Sequence, residues 1–217
     1  MAYFADAFVA LRHGDYGDAV TKFVSLADHY PIEDSPYGGK REAYPLAYFA
    51  YAAAKTGDTV GLEAYVRGLN AKYSFDAWLA KAFFAGARQD VEAASAALET
   101  AFRNMPVSDD RPVLAEFQYA EACEWLYQGT HDTRFLTTLL DWAKRHQRIQ
   151  PVYAWAYAFQ YAYEKDAQER RRALAMTYYL DPAAAHIQKA SKDELSQARA
   201  WLRDNKPFQP AAPKTAI

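Results

Sequence analysis

Cysteine occurs once, at Cys123, so no intramolecular disulfide can form and no cysteine-based zinc site can be built. A lone cysteine fits a reducing compartment, and a cytoplasmic setting is expected. Glycine and proline are scarce, at 9 and 10 of 217 residues, which leaves few positions that would break a helix. A basic excess is also missing. The formal net charge is -2, whereas general nucleic-acid binders draw much of their affinity from phosphate neutralisation; a nucleic-acid partner is not expected. No apolar run is long enough to span a bilayer, so membrane insertion is not expected either. The stretch Met1–Ala10 is short, carries Asp6 and lacks a basic region, and it does not read as a signal peptide. Alternating β-branched runs, the mark of strands, do not form a convincing series. There is no HExxH, no glycine-rich phosphate loop, and no metal-ligand spacing among His13, His29, His131, His146 and His186. Neither a metal nor a cofactor is called for, and no catalytic constellation stands out.

What the chain does have is alanine and aromatics. Hydrophobic residues make up 51% and aromatics 16%, with 17 Tyr and 12 Phe. Apolar residues recur at helical spacing, as in Trp78, Ala82 and Ala85, then Ala94, Leu98 and Ala101. The pattern predicts an all-α chain with helices over 2–13, 16–29, 43–56, 59–72, 75–88, 90–104, 112–128, 132–147, 151–165, 167–180 and 192–204. Surface loops are expected over Pro31–Arg41 and Met105–Pro112. Ser191 with Glu194 three residues on forms a capping box for the last helix. The proline-containing tail from Lys206 has little to bury and reads as disordered.

Repeats organise these helices. Sixteen residues separate Asp15 from Pro31, Asp90 from Pro106 and Asp166 from Pro182. The prolines lie 75 and 76 residues apart, room for two helical hairpins in each interval. The intermediate turns are Thr56-Gly57-Asp58 and Gln128-Gly129-Thr130-His131-Asp132. In each unit an aspartate can cap the second helix, and a proline closes it where one is present. No hairpin can bury its apolar stripe alone, but stacked hairpins bury them together.

These features resemble the tetratricopeptide repeat. Tyr3, Ala7, Gly14, Asp15, Tyr16, Ala19 and Pro31 fit its register, as do Trp78, Ala82, Asp90, Ala94, Ala101 and Pro106, and Ala158, Tyr161, Leu180, Asp181 and Pro182. Arg170 and Thr177 replace the usual alanines of the fifth unit. The resemblance covers roughly residues 1–182 and implies an α-α superhelix of about five hairpins. With the C-terminal capping helix it makes one domain over 1–204. It also implies a concave groove lined by the first helix of each unit. By register that groove takes Ala47, Tyr48 and Tyr51; Leu79 and Phe83; Tyr119, Cys123 and Tyr127; and Trp155, Phe159 and Tyr163. The lysine and asparagine that some members use to clamp a terminal carboxylate are absent from these positions.

The expected function is a non-catalytic scaffold that holds a protein or peptide partner on Tyr48, Tyr51, Phe83, Tyr119, Trp155, Phe159 and Tyr163, because Tyr and Trp dominate binding surfaces. The same aromatics at helical spacing also read as core. Two other functions stay open: a helical enzyme or small-ligand binder with a closed pocket, and a self-associating structural protein forming homo-oligomers. Cys123, mid-helix beside Ala122, reads as a small buried residue. The basic clusters Lys144-Arg145-His146-Arg148 and Arg170-Arg171-Arg172 read as solvated faces, with an acidic-partner patch as the alternative.

Overall fold

A computed structural model of the chain describes residues 2–29, 44–57, 74–105, 112–205 and 207. Among the described residues there are eleven helices and no strand. They are α1 (Ala2–His13), α2 (Tyr16–His29), α3 (Tyr44–Thr56), α4 (Ser74–Ala87), α5 (Val91–Arg103), α6 (Pro112–Thr130), α7 (Thr133–Ile149), α8 (Ala154–Tyr163), α9 (Ala167–Leu180), α10 (Ala185–Lys189) and α11 (Lys192–Asn205). The helix expected over 59–72, the bulk of both expected loops, and the tail apart from Pro207 lie outside the described residues. The chain forms two compact units, Met1–Phe135 and Leu136–Ile217, where the sequence reads as a single repeat domain.

In unit 1, α1 packs on α2, α2 on α3, and α4 on α5. The first helices of successive hairpins also pack side by side, α1 on α3, α3 on α4 and α4 on α6. Alanine makes this possible. Ala7, Ala50, Ala80 and Ala120 are fully buried, and their short side chains let helix axes approach closely. Gly86 goes further: a Cβ there would sit 2.7 Å from Cδ2 of buried Leu126, so any larger residue would push that side chain out of its place between α4 and α6.

The hairpin turns share one device. Gly14 (φ 82°), Gly57 (φ 79°), Gln89 (φ 61°) and His131 (φ 58°) all adopt the left-handed conformation that ends a helix. Each directly precedes an aspartate. Asp90 Oδ1 then accepts from the Ala93 N–H at 3.1 Å, and Asp132 Oδ1 from the Arg134 N–H at 2.8 Å, satisfying otherwise orphaned donors. The fifth turn has no left-handed residue. There Glu164 Oε1 accepts from the Lys165 and Asp166 N–H groups, and Asp166 Oδ1 caps Glu169 at 2.8 Å. His131 is strained where glycine is not. We expect His131→Gly to stabilise unit 1 by roughly 0.5 kcal/mol, the relief of left-handed strain less the added chain flexibility. Gly14→Ala should destabilise it by about 1 kcal/mol. Urea midpoints followed by circular dichroism check both.

In unit 2, α9 packs on α8, α10 and α11. Its core joins Tyr161, Leu174, Ile187 and Ala198, with Trp201 and Leu202 against them. The short helix α10 was not expected. Five residues show no period, but its Ile187 is buried in that core. The capping box forms as read: the Glu194 N–H donates to Ser191 Oγ at 3.2 Å and the Ser191 N–H to Glu194 Oε2 at 2.9 Å. A buried amide chain crosses three helices. Gln147 Nε2 donates to Gln160 Oε1 at 2.7 Å, and Gln160 Nε2 to Glu169 Oε2 at 3.4 Å.

Candidate functional site

The first helices of unit 1 do not leave their inner face open. Arg12 on α1 reaches Glu121 on α6, with Nη2 2.7 Å from Oε1. The Tyr48 hydroxyl on α3 donates to the other carboxylate oxygen at 2.9 Å. The Glu121 side chain is 3% exposed. Burial pushes its carboxyl up, and Arg12 and Tyr48 pull it back. This clasp draws three helices together over the inner side, and aromatic rings fill the space. Tyr48 stands edge-on to Phe8 at 5.1 Å and to Trp125 at 5.8 Å. Tyr51 stacks on Trp125 with ring centroids 3.7 Å apart, and Phe83 lies 5.7 Å from Tyr51 and 5.5 Å from Trp125.

The seven aromatics expected on the groove therefore divide. Tyr48 is fully buried and serves the clasp. Tyr119 is buried against Phe102 of α5, so it packs on the second helix of the preceding hairpin instead of the inner side. Phe159, in unit 2, is buried near His186 of α10 at 6.1 Å. Trp155 and Tyr163, also in unit 2, are half-buried, and Trp155 lies between His146 (5.0 Å) and Phe159 (6.2 Å). Tyr51 and Phe83 are mostly buried, but both have an edge on a half-open notch.

That notch, of about 200 Å³, is the candidate site. Its aromatic wall is Tyr51, Phe83 and Trp125; its rim is Ala54, Lys55, Ala87 and Gln89; its floor is Gly86 and Leu126. The Lys55 ammonium lies 5.5 Å above the Tyr51 ring. Gln89 Nε2 donates to the Gly129 carbonyl at 3.1 Å, tying the end of α4 to that of α6. Burial raises the Tyr51 phenol well above its usual range, so it stays neutral.

Sequence reasoning missed Trp125, although a signal was present. Measured back from the left-handed residues Gly14, Gly57, Gln89 and His131, the residue six positions earlier is Phe8, Tyr51, Phe83 and Trp125. One repeat position carries all four aromatics. The groove positions expected in the fourth hairpin, Tyr119, Cys123 and Tyr127, pass it over.

Other candidates resolve differently. Cys123 is fully buried and burial pushes its thiol far up, so no thiolate is available. His146 was expected on a solvated basic face with Lys144, Arg145 and Arg148. Instead it is buried against Trp142, and burial followed by the charge of Arg145 lowers its pKa, so the neutral imidazole is favoured. Among the described residues no group of three or more His, Cys, Asp or Glu is placed to hold a metal ion. No helix among them is long and apolar enough to cross a membrane. No family model matches the chain, and no curated protein or solved structure matches it.

Proposed function

We propose that the chain is a non-catalytic, tetratricopeptide-like scaffold that holds a protein or peptide partner by one large apolar or aromatic side chain seated in the Tyr51–Phe83–Trp125 notch. The observation that carries this reading is the notch itself, three aromatic rings from three successive first helices converging on one half-open space. The recurring left-handed turn with its aspartate supports the repeat architecture. At about 200 Å³ the notch lies below the roughly 300–1,000 Å³ of small-molecule pockets, which favours a side chain of a macromolecular partner over a metabolite.

Ala87 gives a clean test because it is exposed on the rim, so enlarging it removes no core contact. Ala87→Trp should fill the notch from outside and weaken partner capture by about tenfold or more, while circular dichroism shows the same helix content. Capture of the same species in the same amount by both proteins would show that the notch is not the contact.

A further inference from the structure

Unit 2 has its own cleft, of about 130 Å³, walled by Tyr161, Arg170, Arg171, Leu174, Glu194 and Gln197 from α8, α9 and α11. Most of these groups are committed within the fold. Arg170 is held three ways: its Nε donates to the Tyr161 carbonyl at 3.2 Å, its Nη2 pairs with Glu194 at 3.0 Å, and its guanidinium lies 4.7 Å over the Tyr161 ring. Glu194 also accepts from the Tyr161 hydroxyl at 3.2 Å and from the Ser191 N–H and hydroxyl. Gln197 Nε2 is held by Asp193 at 2.9 Å. Arg172, just outside the cleft, pairs with Glu169 at 3.2 Å. Arg171 alone of the three consecutive arginines has no hydrogen bond, ion pair or ring contact among the described residues.

We infer that this cleft receives a glutamate or aspartate side chain from an acidic segment of a partner protein, gripped by the Arg171 guanidinium. The charges point that way. Two arginines and one carboxylate line the cleft, and the carboxylate is already neutralised by Arg170, so Arg171 supplies the uncompensated charge. A guanidinium holds a carboxylate through two parallel N–H bonds, geometry a point charge cannot offer. Folding gives no reason for Arg171, because a cation in the first turns of α9 opposes the helix dipole and here has no partner to offset that. The size points that way too. A cleft of about 130 Å³ with buried Leu174 and Tyr161 at its base fits the methylenes of one acidic side chain and is too small for most metabolites. This contact is separate from the unit 1 notch and does not depend on it.

The probe is a fluorescein-labelled oligoglutamate peptide, with oligoglutamine of equal length as its control, titrated against the full chain at low salt by anisotropy. Oligoglutamate should bind and oligoglutamine should not. Arg171→Gln should weaken binding about tenfold, the scale of one charge-assisted pair. Arg172→Gln and Ala87→Trp should each change it by less than about twofold, the scale of an exposed ion pair or less. Absence of oligoglutamate binding to the wild type would overturn the inference. So would equal losses in the Arg171 and Arg172 variants, which would mark nonspecific charge attraction. Displacement of the peptide by inorganic phosphate at equal anion concentration would overturn it as well, marking a small-anion site.

Discussion

Asp76→Asn should stabilise unit 1 by about 4 kcal/mol near neutral pH and by almost nothing below about pH 4. Asp76 lies in the first turn of α4, where a carboxylate would ordinarily be favoured by the helix dipole. Here it is 8% exposed, and its only hydrogen bond to another residue among the described ones comes from the Gln118 amide of α6 at 3.4 Å. Burial pushes its carboxyl from 3.8 up to about 8, against smaller downward pulls from Gln118 and its own backbone. The folded form therefore keeps its proton where the unfolded chain has lost it. Stability contributed by the protonated form is complete below about pH 4 and declines as pH rises towards about 8, at roughly 1.4 kcal/mol per pH unit. Asparagine keeps the shape and the acceptor without an ionisable proton, so Asp76's share of the slope should vanish. Urea midpoints by circular dichroism across this pH range measure it, and hydrogen exchange of the α4 amides localises it to unit 1. An unchanged slope in the variant would show that Asp76 is solvated or paired when ionised.

Arg12→Ala should cost unit 1 about 3 kcal/mol near neutral pH, and Glu121→Gln added to it should restore most of that loss. The cost comes from stranding a carboxylate that is 3% exposed, not from losing an ion pair as such. We set it at the low end of the range for broken buried pairs because the Arg12 side chain is 43% exposed, so water already screens its side of the pair. The loss should shrink in acid, where Glu121 can take up a proton. Tyr48→Phe should cost less, about 1 to 2 kcal/mol, since it removes one hydrogen bond to the same carboxylate and leaves the ring packing intact. A double-mutant cycle on Arg12 and Glu121, read from urea midpoints, gives the coupling directly. Additive effects would mean that the clasp does not hold α1 to α6.

These two predictions mark the border of what was legible in the sequence. The helices were, because their apolar period and their aspartates are local signals; Asp90 and Asp166 cap the helices they precede, and Ser191 and Glu194 close their box. The clasp was not, because Arg12 and Glu121 lie more than a hundred residues apart and either reads alone as a surface charge. Asp76 reads as an ordinary first-turn acid until α6 covers it. The aromatic surface was half legible. Its composition is plain, but whether a ring lines a groove or fills it depends on how tightly the first helices close, and that follows from the clasp and from Gly86. The register error in the fourth hairpin has a local cause. At 19 residues α6 is longer than the first helices of the other hairpins, so its apolar residues offer more than one register, whereas counting back from the left-handed turn picks out Trp125.

The most direct test of the scaffold reading is site-specific photocross-linking with a benzophenone amino acid at position 88, exposed next to the notch but outside its lining, and at position 24, an exposed site on α2. A partner held in the notch should give an adduct from position 88 and none from position 24, and Ala54→Trp, which fills the notch from its rim, should abolish the adduct. Equal adducts from both positions, or an adduct at 88 that survives Ala54→Trp, would contradict a partner seated against Tyr51, Phe83 and Trp125.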